Sequence, residues 1–228
     1  MQKTVLITGT ASGVGKTVVM LAIASYYQTF YSDRSLALYK PICRGIEDPQ
    51  QYQRVLNLQT SPDDMYSVSF DGLGEPPIAA AHYGMSIDLA TIWKRYQVLA
   101  ASHNVVLIEA CGGLGTPVTM ETTVADLAWD WRLSTILVVP VQPGAIGQAI
   151  AHVALAKQSR VHLKGIVLTC PTPLSDSDAS KLANPDLLQT LTQIPVFGCI
   201  PHLQDVGDRS KLAHAASNLD IERILPSL

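Results

Sequence analysis

The chain has 228 residues, 47% hydrophobic and 15% charged, with a net charge of −3 and a pI near 6.0. This composition suits a buried α/β core and excludes a disordered or fibrous chain. The mild acidity, with no block of Lys or Arg, argues against a nucleic-acid partner.

The first strand is expected over Thr4–Thr8, and it breaks into GTASGVGKT, Gly9 to Thr17. Glycines let backbone N–H groups turn inward around phosphoryl oxygens, Lys16 adds a point charge, and the Thr17 hydroxyl can hold Mg²⁺. A helix expected over Lys16–Thr29 aims its positive end at the same anion. The loop is one residue longer than the common pattern, which would place glycine where Thr10 stands. The second strand, Ser35–Tyr39, runs into Lys40-Pro41. The stretch Gly45–Gly84, with Pro49, Pro62, Pro76 and Pro77, reads as an irregular excursion over the strand ends. A helix over Asp88–Ser102 leads to the strand Val105–Ile108 and a turn at Glu109-Ala110-Cys111-Gly112-Gly113. The strand Thr135–Val141 then reaches Gln142-Pro143-Gly144 and a helix over Gly147–Gln158. The strand Gly165–Thr169, the helix Pro185–Thr192, the strand Val196–Ile200 and a helix over roughly Ser210–Leu225 complete the series.

Continuous apolar strands alternating with helices imply one α/β domain over residues 1–228, with a doubly wound, mainly parallel sheet. Ligands of such sheets sit beyond the carboxyl ends of the strands. Lys40, with its backbone fixed by Pro41, should therefore point into the same crevice as Lys16. Glu109 closes a buried apolar run and needs a positive partner, which Mg²⁺ beside Thr17 would supply; a structural hydrogen-bonding Glu is the alternative. The four cysteines (Cys43, Cys111, Cys170, Cys199) are scattered, without C-x-x-C, and are expected as reduced thiols. No signal peptide and no apolar run of bilayer length are found, so a cytoplasmic protein away from membranes is expected. Trp129 and Trp131 read as packing and rim residues, and His82, His103, His152, His162 and His214 lack ligand spacing.

Taken together, Thr8–Thr17, Tyr39–Pro41, Glu109–Gly113, Thr116-Pro117, Pro143–Ile146 and Gly198–Leu203 resemble the motifs of the dethiobiotin synthetase family, deviant-loop members of the P-loop ATPases. The longer loop is that family's own pattern. The resemblance covers nearly the whole chain and implies a P-loop NTPase-like fold, ATP and Mg²⁺ as cofactors, and a homodimer. It implies a reaction in which one amine of 7,8-diaminononanoate captures CO₂ as a carbamate. ATP phosphorylates the carbamate, and the second amine closes a cyclic urea, dethiobiotin. Lys16 and Lys40 would be the catalytic ammonium groups, offsetting the repulsion between carbamate and γ-phosphate.

By the same resemblance the nucleotide would be held by Gly13, Val14, Gly15, Lys16, Thr17 and Val18, by Glu109, Ala110, Cys111 and Gly112, and on the base side by Thr169, Cys170, Pro201, His202 and Leu203. The metal ligands would be Thr17, Glu109 and Asp48, with Glu47 competing for the last place. Ser12 and Arg44 would meet the substrate, and its tail carboxylate would reach Ala145, Ile146 and Gly147 at a helix start across the dimer interface. The chain departs from the family pattern at several of these positions. Arg44 stands in place of a serine, Ala110 in place of a glycine, and Ala11-Ser12-Gly13 in place of acidic residues. Gly147-Gln148 replaces Asn-His, and Thr169 replaces a base-reading asparagine. The alternatives are a degenerate member, an amidoligase, for whose glutaminase domain the chain has no room, and a partitioning-type nucleotide switch, whose second lysine is missing at Thr10 and Ala11.

Overall fold

A computed structural model describes residues 3–72 and 74–225 of the domain expected over 1–228. In chain order it contains β1 (Thr4–Gly9), α1 (Lys16–Phe30), β2 (Leu36–Tyr39), β3 (Ile42–Arg44), α2 (Glu47–Leu56), a 3-10 turn at Pro62–Asp64, β4 (Val68–Phe70) and α3 (Pro76–His82). There follow α4 (Leu89–Ser102), β5 (Val105–Gly113), α5 (Val124–Asp130), β6 (Ser134–Pro140), α6 (Ala145–Gln158) and β7 (His162–Thr169). The last elements are α7 (Asp176–Leu182), α8 (Pro185–Thr192), β8 (Val196–Ile200), α9 (Arg209–Ala216) and α10 (Ile221–Ile224). Six strands form one sheet in the order β2-β5-β1-β6-β7-β8, and every pairing is parallel.

The doubly wound arrangement follows from side-chain alternation. On β1, Val5 and Ile7 join the core under α1, α2 and α9, while Leu6 joins the opposite core under α4 and α5. Further along the sheet, Leu137 and Val139 of β6 pack with Ala149 and Val153 of α6 and Leu188 of α8. A strand covered on both faces has no solvent side to show, which is why β1 and β6 are buried at every residue and carry, beside their apolar side chains, only the small hydroxyls of Thr4, Thr8, Ser134 and Thr135. No helix among the described residues is long and apolar enough to cross a membrane.

The sequence expectation differs from the structure in four places. Residues 45–84 are not irregular: they hold α2, the 3-10 turn, β4 and α3, and β3 pairs with β4 in a small parallel sheet. The prolines there open elements rather than break them, with Pro49 in the first turn of α2 and Pro62 and Pro76 each starting a helix. Residues Glu109–Gly113 continue β5 instead of turning after it, because Gly9 of β1 still pairs with Gly113. The last helix is two pieces, α9 and α10, since the Asp220 amide donates to the Phe197 carbonyl at 2.8 Å and draws the chain onto β8. Helices α5 and α7 are additional; α5 is announced by a capping box at Thr123 and Asp126.

Candidate active site

The loop between β1 and α1 is shaped by three glycines. Gly13 and Gly15 sit at φ of +75° and +92°, where side chains strain the backbone, and a Cβ on Gly9 would lie 2.4 Å from Val14 Cγ2. Two hydrogen bonds tie the loop down: the Thr10 amide donates to the Val138 carbonyl at 3.1 Å, and the Thr169 hydroxyl donates to the Val14 carbonyl at 2.8 Å. No side chain caps α1, so its first-turn amides face the loop as an anion site. Lys16 is 5% exposed, and its Nζ donates to the Ala11 carbonyl at 2.9 Å. Burial lowers its pKa, with the Glu109 charge acting in the opposite direction.

Strand periodicity delivers the acid. Val105 and Leu107 of β5 face the core beneath α1 and α2, so Glu109, two residues on, points to that same side. Leu38 and Lys40 stand in the same relation at the end of β2. Helical periodicity delivers the other partners, because Asp48 and Tyr52 lie four residues apart on α2 and share a face. These side chains meet around one carboxylate. Lys40 Nζ donates to Glu109 Oε1 at 2.7 Å and also to the Asp48 carboxylate. Thr17 Oγ1 lies 3.0 Å from Glu109 Oε1 and 3.3 Å from Asp48 Oδ1. Tyr52 Oη donates to Glu109 Oε2 at 2.5 Å.

The charges follow from this geometry. Burial pulls the Lys40 ammonium down, but Glu109 and Asp48 outweigh it and hold its pKa above that of an ordinary lysine. Burial pushes the Cys43 thiol up to about 12 and the Cys111 thiol up to about 11, so both stay protonated at neutral pH. The oxygen set of Thr17, Asp48 and Glu109 suits a hard cation. Among the described residues no group of three or more His, Cys, Asp or Glu could hold a metal, so a cation here would share its coordination with ligand oxygens, as Mg²⁺ does beside phosphates.

A cavity of about 260 Å³ adjoins this cluster, and Ser12, Gly13, Gly15, Lys16, Thr17, Lys40, Arg44, Asp48, Glu109 and Cys111 line it. Arg44 is exposed and reaches across to donate to the Gly74 carbonyl at 3.2 Å. Of the two acids competing at the start of α2, Asp48 faces Thr17 and Lys40, whereas the Glu47 carboxylate lies against Gly45. Phe70, Glu75 and Pro76 also line the cavity and were not anticipated; they arrive with β4 and α3, elements masked by the proline-rich reading. Tyr52 was missed as well, although its spacing from Asp48 was available as a signal.

The remaining predicted residues fall elsewhere. Cys170, Pro201 and His202 line a second cavity of about 770 Å³, where the His202 ring is 3.0 Å from the Pro171 carbonyl. Thr169 is buried with its hydroxyl committed to Val14, and Leu203 and Val18 pack against the core beside α1. Ala110 turns to the opposite core, under α4 and α5. Gly112 accepts the Thr8 hydroxyl at 3.2 Å and has no room for a Cβ, which would lie 2.2 Å from Thr116 Oγ1. Of the three residues expected at the α6 start, Ala145 is buried and its amide already donates to the Gln142 carbonyl at 3.1 Å, which leaves Ile146 and Gly147 to present amides.

Known proteins resemble the chain in sequence and in fold. A family model described as an AAA domain matches residues 3–210. The ATP-dependent dethiobiotin synthetase BioD of Gloeothece citriformis is 43% identical over 221 residues, covering 97% of this chain and 98% of that protein. Its counterpart in Crocosphaera subtropica is 45% identical over 221 residues, covering 97% and 99%. Among solved structures, the MinD cell division protein of Aquifex aeolicus aligns with a TM-score of 0.57 at 11% identity, covering 93% of this chain and 86% of that one. A ParA family ATPase from Chlorobium tepidum aligns with a TM-score of 0.56 at 9% identity, covering 98% and 93%. Those two share the fold of P-loop NTPases and no more than the fold. With these sequence relatives matched over nearly their whole length, the chain belongs to the dethiobiotin synthetase family.

Proposed function

We propose that the protein is a ligase that uses ATP and CO₂ to convert 7,8-diaminononanoate into dethiobiotin, a step of biotin biosynthesis; the names of its relatives give ATP dependence and dethiobiotin formation for them. The observation that carries this reading is the meeting of Lys40, Glu109, Asp48 and Thr17 beside the glycine loop. Two anions, a carbamate and a triphosphate, must approach each other, and Lys16 and Lys40 place two ammonium groups along one cavity wall. The loop amides and the α1 terminus hold the phosphates. Thr17, Asp48 and Glu109 would hold Mg²⁺, whose charge offsets that of the phosphoryl oxygens when bound. Lys40 keeps its proton, so it serves as a fixed positive charge and hydrogen-bond donor, not as a base.

The base would occupy the cavity at Cys170, Pro201 and His202. Because the Thr169 hydroxyl is spent on Val14, base contacts fall to the groups around Pro201. A tail carboxylate at the α6 start, across a cytoplasmic homodimer, completes the reading, and the Ile146 and Gly147 amides with the helix dipole would favour it by about 0.3–2 kcal/mol. The protonated state of Cys43 and Cys111 speaks against an amidoligase with a cysteine nucleophile here. The deciding experiment incubates purified protein with the diamine, bicarbonate, ATP and Mg²⁺. Dethiobiotin and stoichiometric phosphate are expected, and both should vanish in Lys40→Ala. Absence of dethiobiotin from the unmodified protein would reject the reading.

A further inference from the structure

Tyr52 is fully buried, and its one polar atom is aimed at Glu109 Oε2 at 2.5 Å. The other carboxylate oxygen, Oε1, receives Lys40 at 2.7 Å and Thr17 at 3.0 Å. The two oxygens of one carboxylate are therefore divided between a phenol behind it and the site in front. A free carboxylate rotates about its last torsion with little preference, so the phenol is what distinguishes the oxygens here. Packing does not require the hydroxyl, since phenylalanine would fill the same place in the core beside Val55 and Leu56.

We propose that Tyr52 is a positioning residue that fixes Glu109 with Oε1 toward the cation and Lys40. It does so from the same face of α2 that presents Asp48, so one helix sets both carboxylates. This inference rests on the proposed role of Glu109 as a metal ligand. Hydrogen bonds behind a ligand orient it, and their loss commonly weakens metal binding by roughly 10–100-fold.

The test is equilibrium binding of Mn²⁺, read by electron paramagnetic resonance of the free ion, in the presence of a non-hydrolysable ATP analogue. Tyr52→Phe is expected to weaken Mn²⁺ at least ~10-fold, to raise the Mg²⁺ concentration needed for half-maximal turnover in parallel, and to leave kcat at saturating Mg²⁺ within about twofold. A Mn²⁺ affinity within about twofold of the parent overturns the proposal, whatever happens to the melting temperature. A lowered melting temperature with unchanged affinity would assign the hydroxyl a purely structural role. Glu109→Gln is measured alongside. If it too leaves Mn²⁺ binding intact, the metal-ligand reading of Glu109 falls; if it abolishes binding while Tyr52→Phe does not, only the role of Tyr52 falls. Tyr52→Leu, which also lacks the hydroxyl, serves as the second variant and is expected to show at least the same loss of affinity.

Discussion

Lys40 and Glu109 stand 69 residues apart in sequence, yet Lys40 Nζ lies 2.7 Å from Glu109 Oε1 because β2 and β5 are parallel neighbours in a register that sets Tyr39 beside Ile108, so that the next residue of each falls side by side. With Asp48 closing on the same ammonium, two carboxylates share one buried cation. Replacing Lys40 by methionine keeps the volume and removes the charge. We expect turnover to be lost and stability to fall by about 3 kcal/mol, toward the low end for a broken buried pair because the Asp48 side chain is 33% exposed. Phosphate release and urea denaturation check the two parts separately.

Asp48 and Glu47 are adjacent acids with different surroundings. Asp48→Asn should raise the Mg²⁺ requirement about tenfold or more, while Glu47→Gln should leave it within about twofold. Mg²⁺ titrations of initial rate distinguish them, and equal effects would contradict the placement of Asp48.

The Thr169 hydroxyl holds the apex of the phosphate loop through Val14. Thr169→Val keeps the shape and removes that bond, leaving a buried carbonyl without its partner. The expected loss is about 1–2 kcal/mol of stability and a several-fold rise in the KM for ATP, with kcat less affected. Steady-state kinetics and thermal denaturation measure both.

Gly9→Ala would drive a methyl into Val14 at a place where the neighbour is itself part of the tight loop. Overpacking of this kind costs about 1–3 kcal/mol. The displaced loop should bind nucleotide at least tenfold more weakly, as fluorescence titration with a labelled ATP analogue would show.

Alkaline pH should unfold the protein early. The folded chain holds the Cys43 thiol proton to about 12 against an ordinary value of 9.0, and the Tyr39 phenol proton to about 12 against 10.0. Above pH 9 the folded state therefore binds more protons than the unfolded state, and stability falls as pH rises. Lys40 adds to the trend, because its raised pKa contributes stability fully below 10.5 that is lost above it. Lys16 and Lys164, with pKa values lowered by burial, act the other way up to 10.5, two groups against several. Each such group contributes a slope of at most about 1.4 kcal/mol per pH unit. Cys43→Ser should flatten the decline between pH 9 and 10.5, measured by denaturant unfolding at each pH; unchanged slopes would count against the buried-thiol explanation.

Much of the architecture was readable because it rests on short-range patterns. Continuous apolar runs announced the six strands of the main sheet, and the residues at their ends announced Lys16, Lys40 and Glu109. What stayed hidden depended on tertiary context. The apolar residues of α2 are sparse among glutamines, and its proline is harmless only because it falls in the first turn. The continuation of β5 through two glycines runs against propensity and is held by pairing with Gly9. Thr169 reads as a base-side residue, and the bond of its hydroxyl to Val14, 155 residues away, is one that no local pattern reveals.

The segment before α2 has a final consequence for how the chain can change length. Loops between elements ordinarily tolerate insertion, and the stretch after Gly45 would be a natural place for one. Yet a single residue added between Asp48 and Tyr52 turns everything after it by about 100° relative to what precedes it. Asp48 and Tyr52 would then no longer share a face, and the acid and the phenol would part company. Length variation among close relatives should therefore gather beyond Leu56, around the 3-10 turn, and spare the ten residues of the helix itself.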